Sequence, residues 1–250
     1  MRFATRCCPV MLVMLVLSVL LIAGCSSKTT RPFGPSTQFK GSVMGTEGIG
    51  TIEITVAAAS AVPLFGAHAA SATVPASGTV RLSSGYQVVY LTGTYDTSAH
   101  ELALSGAGWK GAGWTLGGAL SGGVLRGSFA LTGGSGVFIA QEQGAGADAV
   151  TTFCGVEGMC DYFTFSAGFG LRGASVAGVV QRPTIPYTLI TFTGSFSAAD
   201  SSVVLVDPAD PSGPPLGTGR LRTNAYTTWA QVRFVFVPGD TCSWSGARCQ

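Results

Sequence analysis

Apolar and polar residues alternate along most of this chain with a period of two. In VYLTGTYDTSAHELALSGAGW, residues 89–109, Val89, Leu91, Gly93 and Tyr95 fall on one face, and the small polar run DTSAH separates two such segments, so a β-hairpin is predicted. WTLGGAL, VLRGSFAL and VFIAQ follow as further strands. The connections SGG and TGGSG between them are short and glycine-rich, which makes neighbouring strands antiparallel. Beyond the N-terminal apolar run, no window of about 11 residues keeps the three-and-four spacing of an amphipathic helix. Glycine within strands weakens their propensity but permits the bulges and tight coiling by which a small sheet closes on itself. The expected product is all-β: a curled antiparallel meander.

The pattern repeats. YQVVYLTGTYDTSAHELALS from Tyr86 lies without a gap over YTLITFTGSFSAADSSVVLV from Tyr187, 101 positions on, matching Thr92-Gly93 to Thr193-Gly194 and Tyr95 to Phe196. WTLGGALSGG meets PPLGTGRLRT at nearly the same offset, and FKGSV from Phe39 is matched by FCGVE from Phe153. Two tandem modules are predicted, residues 37–150 and 152–250, each a small up-and-down barrel or sandwich, with QGAGADAV as the joint between them. One continuous barrel or sandwich is the alternative. An eight-stranded barrel is just wide enough to be filled by its own side chains or to hold one small ligand.

The N-terminus reads differently. Arg2 and Arg6 precede a continuous apolar run, residues 10–23, which is shorter than the roughly 20 residues of a spanning helix and has the outline of a secretory signal. Of the 14 basic residues, those left when Arg2 and Arg6 are set aside equal the 12 acidic ones in number, so net charge provides no attraction for nucleic acid. Charged residues are only 10% of the chain, and there are 36 glycines. A surface of Ser, Thr and exposed backbone suits an anchored or assembled protein.

Ile22-Ala23-Gly24-Cys25 resembles the lipobox of bacterial lipoproteins. The resemblance implies a signal peptide over residues 1–24, diacylglycerol on the thiol of Cys25, acylation of the new N-terminus, and a tether over residues 25–36. It also implies that Ser26 directs sorting to the outer membrane. The partner is then a membrane, held through two or three acyl chains at about 0.8 kcal/mol per buried methylene. A second, local resemblance lies in LTGTYDTSA, GWTLGGAL and TTWAQVRF, which are similar to strand-turn-strand phrases of the avidin and streptavidin family. It implies a coiled antiparallel meander and not biotin binding.

Candidate chemistry is sparse. His68 in FGAHAAS has no acid or nucleophile at motif spacing. His100 ends DTSAH, where Asp96 and Ser98 suit bonds to the turn backbone better than a triad. Nothing in the sequence calls for a metal or a cofactor. An envelope hydrolase would need a concave site around Glu157, Asp161 or Asp240. A transmembrane β-barrel would make a lipid anchor redundant, and several strands are short for a crossing. Tryptophans are the better lead. Trp109, Trp114 and Trp229 at a barrel mouth would offer flat faces to a glycan or small apolar ligand; alternatively each plugs its own barrel.

With Cys7 and Cys8 in the signal and Cys25 lipidated, four cysteines remain: Cys154, Cys160, Cys242 and Cys249. An even number in an exported chain predicts two disulfides. Local pairing would join Cys154 to Cys160 and Cys242 to Cys249. Nested pairing, Cys154 with Cys249 and Cys160 with Cys242, is preferred. Facing residues of an antiparallel pair have a constant sum of numbers, and the two nested pairs differ by one, which a bulge absorbs. That would set the first strand of the second module beside its last and close a barrel.

Overall fold

A computed structural model describes residues 36–58, 73–82, 87–108, 111–160, 163–182, 188–223, 229–237 and 240–249. The phrase Ile22-Ala23-Gly24-Cys25, Tyr86, Tyr187, His68, Trp109 and Asp161 lie outside the described residues. No α-helix occurs among the described residues.

The first ring contains eight strands: β1 (Thr37–Gly45), β2 (Gly48–Val56), β3 (Thr73–Leu82), β4 (Gln87–Asp96), β5 (Glu101–Ala107), β6 (Gly113–Ser121), β7 (Val124–Leu131) and β8 (Gly134–Glu142). Each pairs antiparallel with the next, and β8 returns to β1 to close the barrel. The hairpin face read from the alternation is the inner one: Val89, Leu91 and Tyr95 are buried with Val74, Val80, Leu102 and Leu104. Burying such a side chain contributes about 1.5–3 kcal/mol. Side chains from all eight strands fill the interior.

The second ring comprises β9 (Thr151–Cys160), β10 (Phe163–Arg172), β11 (Ser175–Arg182), β12 (Thr188–Phe196), β13 (Ser202–Val206), β14 (Gly217–Arg220), β15 (Arg222–Thr223), β16 (Trp229–Val237) and β17 (Asp240–Arg248). These form one antiparallel sheet in the order β14-β13-β12-β11-β10-β9-β17-β16-β15. Its two edge strands are the halves of a single segment, interrupted only at Leu221, so the sheet curls round until its edges are joined through one buried residue. Pro214 and Pro215 stand where the 101-residue offset places Gly113 and Trp114 of β6, and without an N–H they cannot extend the ladder. The counterpart of β6 therefore starts late.

The repeat is visible in geometry. Gly93 faces Leu104 across β4 and β5, and Gly194 faces Leu205 across β12 and β13. His100 and Ser201, at φ 59° and 61°, are the two described non-glycine residues with positive φ, and they occupy the same turn position. Leu120 N–H donates to the His100 carbonyl at 2.9 Å, and Leu221 N–H to the Ser201 carbonyl at 2.8 Å. β4 and β12 are each the fourth strand of their ring.

First and last strands of the second ring pair as expected, with Cys160 opposite Cys242 in the backbone register. A bulge follows, but it sets Cys154 opposite Ala247 and not Cys249. The Cys154–Cys249 disulfide consequently runs diagonally, with Cα atoms 5.6 Å apart, just past the end of β17. Cys249 N–H donates to the Thr152 carbonyl at 2.9 Å, holding the chain there.

The rings also pack on one another. Met44, Ile49 and Ile139, on the outer face of the first ring, form one buried cluster with Ala177 and Val179 of β11. The facing stretch of β10 presents glycine: a Cβ on Gly168 would lie 2.9 Å from Ile49 Cδ1, and one on Gly170 2.9 Å from Val150 Cγ1. Gln141 Nε2 donates to the Gly170 carbonyl at 2.8 Å. Ser42 Oγ is buried on the same face without a hydrogen-bond partner. QGAGADAV is no free linker either: it holds a 3-10 turn, Gly146–Asp148, Val150 is buried, and Val150 N–H donates to Gln143 Oε1 at 3.2 Å.

Candidate functional site

Tryptophan at a barrel mouth is the first arrangement to compare with the structure. Trp114, in β6, is 2% exposed and stacks on Phe129 of β7, with ring centroids 5.0 Å apart and planes 14° from parallel. It lies within the packed interior of its barrel and offers no face to solvent. Trp244, in β17, is equally buried; its indole N–H donates to the Gly155 carbonyl at 3.1 Å and its ring lies 5.3 Å from Phe169. An inward aromatic on a narrow barrel gains more from filling the core than from meeting a ligand. Trp229 is placed by its backbone, opposite Ala247, as is Glu157, opposite Ser245; Asp240 begins β17. The exposed large apolar side chains that the structure does show were not singled out in the sequence: Tyr90 at 70% and Val88 on β4, and Val204 on β13. Only their outward parity marked them.

The turn after β4 gathers Tyr95, Asp96, Ser98 and His100. Asp96 Oδ1 accepts from Ser98 N at 2.8 Å, Ser98 Oγ at 2.6 Å and Ala99 N at 2.9 Å, while the Tyr95 hydroxyl lies 3.2 Å from His100 Nδ1. The serine hydroxyl is thus committed to the aspartate, and the histidine to the tyrosine: an Asx turn in place of a serine–histidine pair. Those bonds, the one from Ser98 Oγ first, hold the Asp96 carboxyl below its usual range.

In the matching turn of the second ring the acid sits at the other end. Asp200 is lowered to about 2 by the Ser197 hydroxyl first and by the Ser202 N–H and hydroxyl after it. A carboxylate with a depressed folded pKa stabilises the fold fully above the unfolded value near 3.8, and that stability is lost as the pH falls towards 2. Carboxyl-carbon NMR of the Asp200 signal is expected to show a midpoint near 2, moved upward by Ser197→Ala. A midpoint near 3.8 in the parent protein would contradict the turn geometry.

Among the described residues, concave surface is found where the rings meet. One cleft, about 580 Å³, lies between the β2–β4 end of the first ring and the disulfide end of the second, and Arg81, Val88, Arg248 and Cys249 line it. A groove on another side, of about 430 Å³, is bordered by Arg126 and Val137 of the first ring and by Leu189 of β12. No protein-family model matches the chain, and no curated protein matches it. The chemistry of these surfaces has to come from their own side chains. Of the two, the 580 Å³ cleft brings together two guanidinium groups, an exposed valine and a half-buried disulfide. Neither Arg81 nor Arg248 was singled out in the sequence, since only the packing of the rings brings them to one cleft.

Proposed function

We propose that this is a lipid-anchored β-protein of the bacterial cell envelope with a structural or binding role. The observation that carries this reading is the sequence Ile22-Ala23-Gly24-Cys25 at the end of an apolar run too short to span. The Cys154–Cys249 bond supports it, because disulfides persist in oxidising compartments outside the cytosol. Binding in preference to catalysis is supported by where the polar chemistry lies. The serine, histidine and aspartate of the β4–β5 turn are tied up in turn bonds, and the described concave surfaces sit between the rings. Ser26 favours the outer membrane as the place of anchoring. A glycan-binding reading is favoured by one feature, the largely exposed ring of Tyr90 beside the cleft residue Val88.

Cys25→Ser is expected to abolish lipidation, leaving an uncleaved or soluble product that no longer enters the detergent phase on phase separation. Intact mass of the parent protein should show acylation at Cys25. A parent protein whose N-terminus carries no lipid, or a Cys25→Ser variant that partitions as the parent does, refutes the anchor.

A further inference from the structure

The cleft at the disulfide end joins strands from both rings. Backbone register sets Thr51, Arg81 and Val88 in a row across β2, β3 and β4, and Thr51 is buried at the joint while Arg81 and Val88 emerge from it. On the opposite wall Arg248 follows Ala247, which faces Cys154, and the Cys154–Cys249 bridge forms part of the lining. Lys40 and Glu53, 3.2 Å apart, make the ion pair seen among the described residues; neither Arg81 nor Arg248 has a carboxylate partner there. Two guanidiniums from different rings, neither with a carboxylate partner among the described residues, therefore share one concavity with apolar walls. Guanidinium presents a fork of donors that matches a carboxylate or similar oxyanion. The valine left 38% exposed and the disulfide supply a surface that water does not solvate well.

We propose that this cleft binds a small amphipathic acid, its anionic head between Arg81 and Arg248 and its apolar body against Val88 and the Cys154–Cys249 bridge. The volume, about 580 Å³, falls within the range of small-ligand pockets and fits a single small molecule held in a concavity better than a flat lipid surface. The proposal deepens the binding role put forward above and does not rest on the anchor. Because the arginines belong to different rings, the ligand also fastens the joint and stabilises the packed pair by mass action.

The test uses the full chain in neutral phosphatidylcholine nanodiscs, with empty discs subtracted, titrated calorimetrically with octanoate, octanol and octyltrimethylammonium. Octanoate is expected to bind saturably, and the neutral and cationic probes about tenfold more weakly or worse. Arg81→Gln and Arg248→Gln should each weaken octanoate about tenfold, the size of one lost charge-assisted contact. Arg81→Lys, which keeps charge but loses the fork, should weaken it less. Both arginines are exposed, so these variants are expected to fold, and an unchanged near-ultraviolet tryptophan spectrum checks it. Absence of octanoate binding, equal binding of octanol, or glutamine variants that bind as the parent does would each overturn the proposal. So would arginine-dependent binding seen only with phosphatidylglycerol in the discs, since the surface would then be a lipid contact. Cys25→Ser should bind octanoate unchanged, so a failed anchor and a failed cleft give different results.

Discussion

Reducing the Cys154–Cys249 bond, or replacing Cys249 by Ser, is expected to lower the unfolding free energy of the second ring by about 3–5 kcal/mol. The bond closes a long loop, with a sequence separation of 95, so in the chain-entropy account its main effect is to restrict the unfolded chain. It also clamps the seam where β9 meets β17, the pairing that turns a meander into a ring. Total stabilities of single domains lie at about 5–15 kcal/mol, so the loss would be a large fraction of the whole. Urea unfolding followed by tryptophan fluorescence, with and without reductant, measures it. Cys249→Ser without reductant isolates this crosslink and should lower the midpoint, and reduction of the parent should lower it at least as far, because it would also open a bond between Cys160 and Cys242, which face each other in the backbone register. A midpoint unmoved by reductant would mean that closure of the ring owes nothing to this bond.

A single added methyl group at the seams should be nearly as damaging. A Cβ on Gly41 of β1 would run into the Ile139 carbonyl oxygen of β8, and one on Gly155 of β9 into the Ser245 carbonyl oxygen of β17. In the first ring the obstacle is backbone on the strand that closes the barrel and in the second it is backbone on the last strand, beside the first, and backbone cannot rotate aside as a side chain tip can. Gly41→Ala and Gly155→Ala are each expected to cost about 3 kcal/mol or more, at the upper end of what overpacking costs. Gly113→Ala is the control. A Cβ there meets nothing within 4 Å, and with less freedom in the unfolded chain the change should be neutral or stabilising by up to about 1 kcal/mol. Thermal or urea unfolding of the three variants decides it: equal effects at all three positions would mean that the close approach at the seams is not what glycine is there for.

Gly41 and Gly155 also belong to the matched phrases FKGSV and FCGVE, so the repeat marked this pair before its purpose could be seen. The same holds for His100 and Ser201, which share a left-handed turn; Leu120 and Leu221, whose N–H groups bond back to those turns, lie one position apart in the match of WTLGGALSGG to PPLGTGRLRT. A local pattern is reproduced wherever the same backbone geometry is needed, and that is why it can be read. The joint is different. β8 reads as the nearly continuous apolar run VFIAQ, with Phe138 and Ala140 facing the core of its own ring and Ile139 and Gln141 facing the other ring. A strand buried on both faces loses its alternation. Residues 152–250 without the first ring would expose Ala177 and Val179, which pack against Met44, Ile49 and Ile139.

The strands, their inward faces, the turns, the duplication and the four cysteines of residues 152–250 depend on neighbours along the chain and are legible in it. Alternation and turn chemistry are local, and each hairpin carries its own register. Only the tertiary structure decided what depends on residues distant in the chain. It shifted the bulge so that the disulfide runs diagonally, split the counterpart of β6 at Leu221, turned Trp114 into packing, and set Arg81 across a cleft from Arg248. A side chain's parity says which face of a strand it occupies, but whether that face meets water, its own core or another ring follows from how the whole sheet closes and what then packs against it.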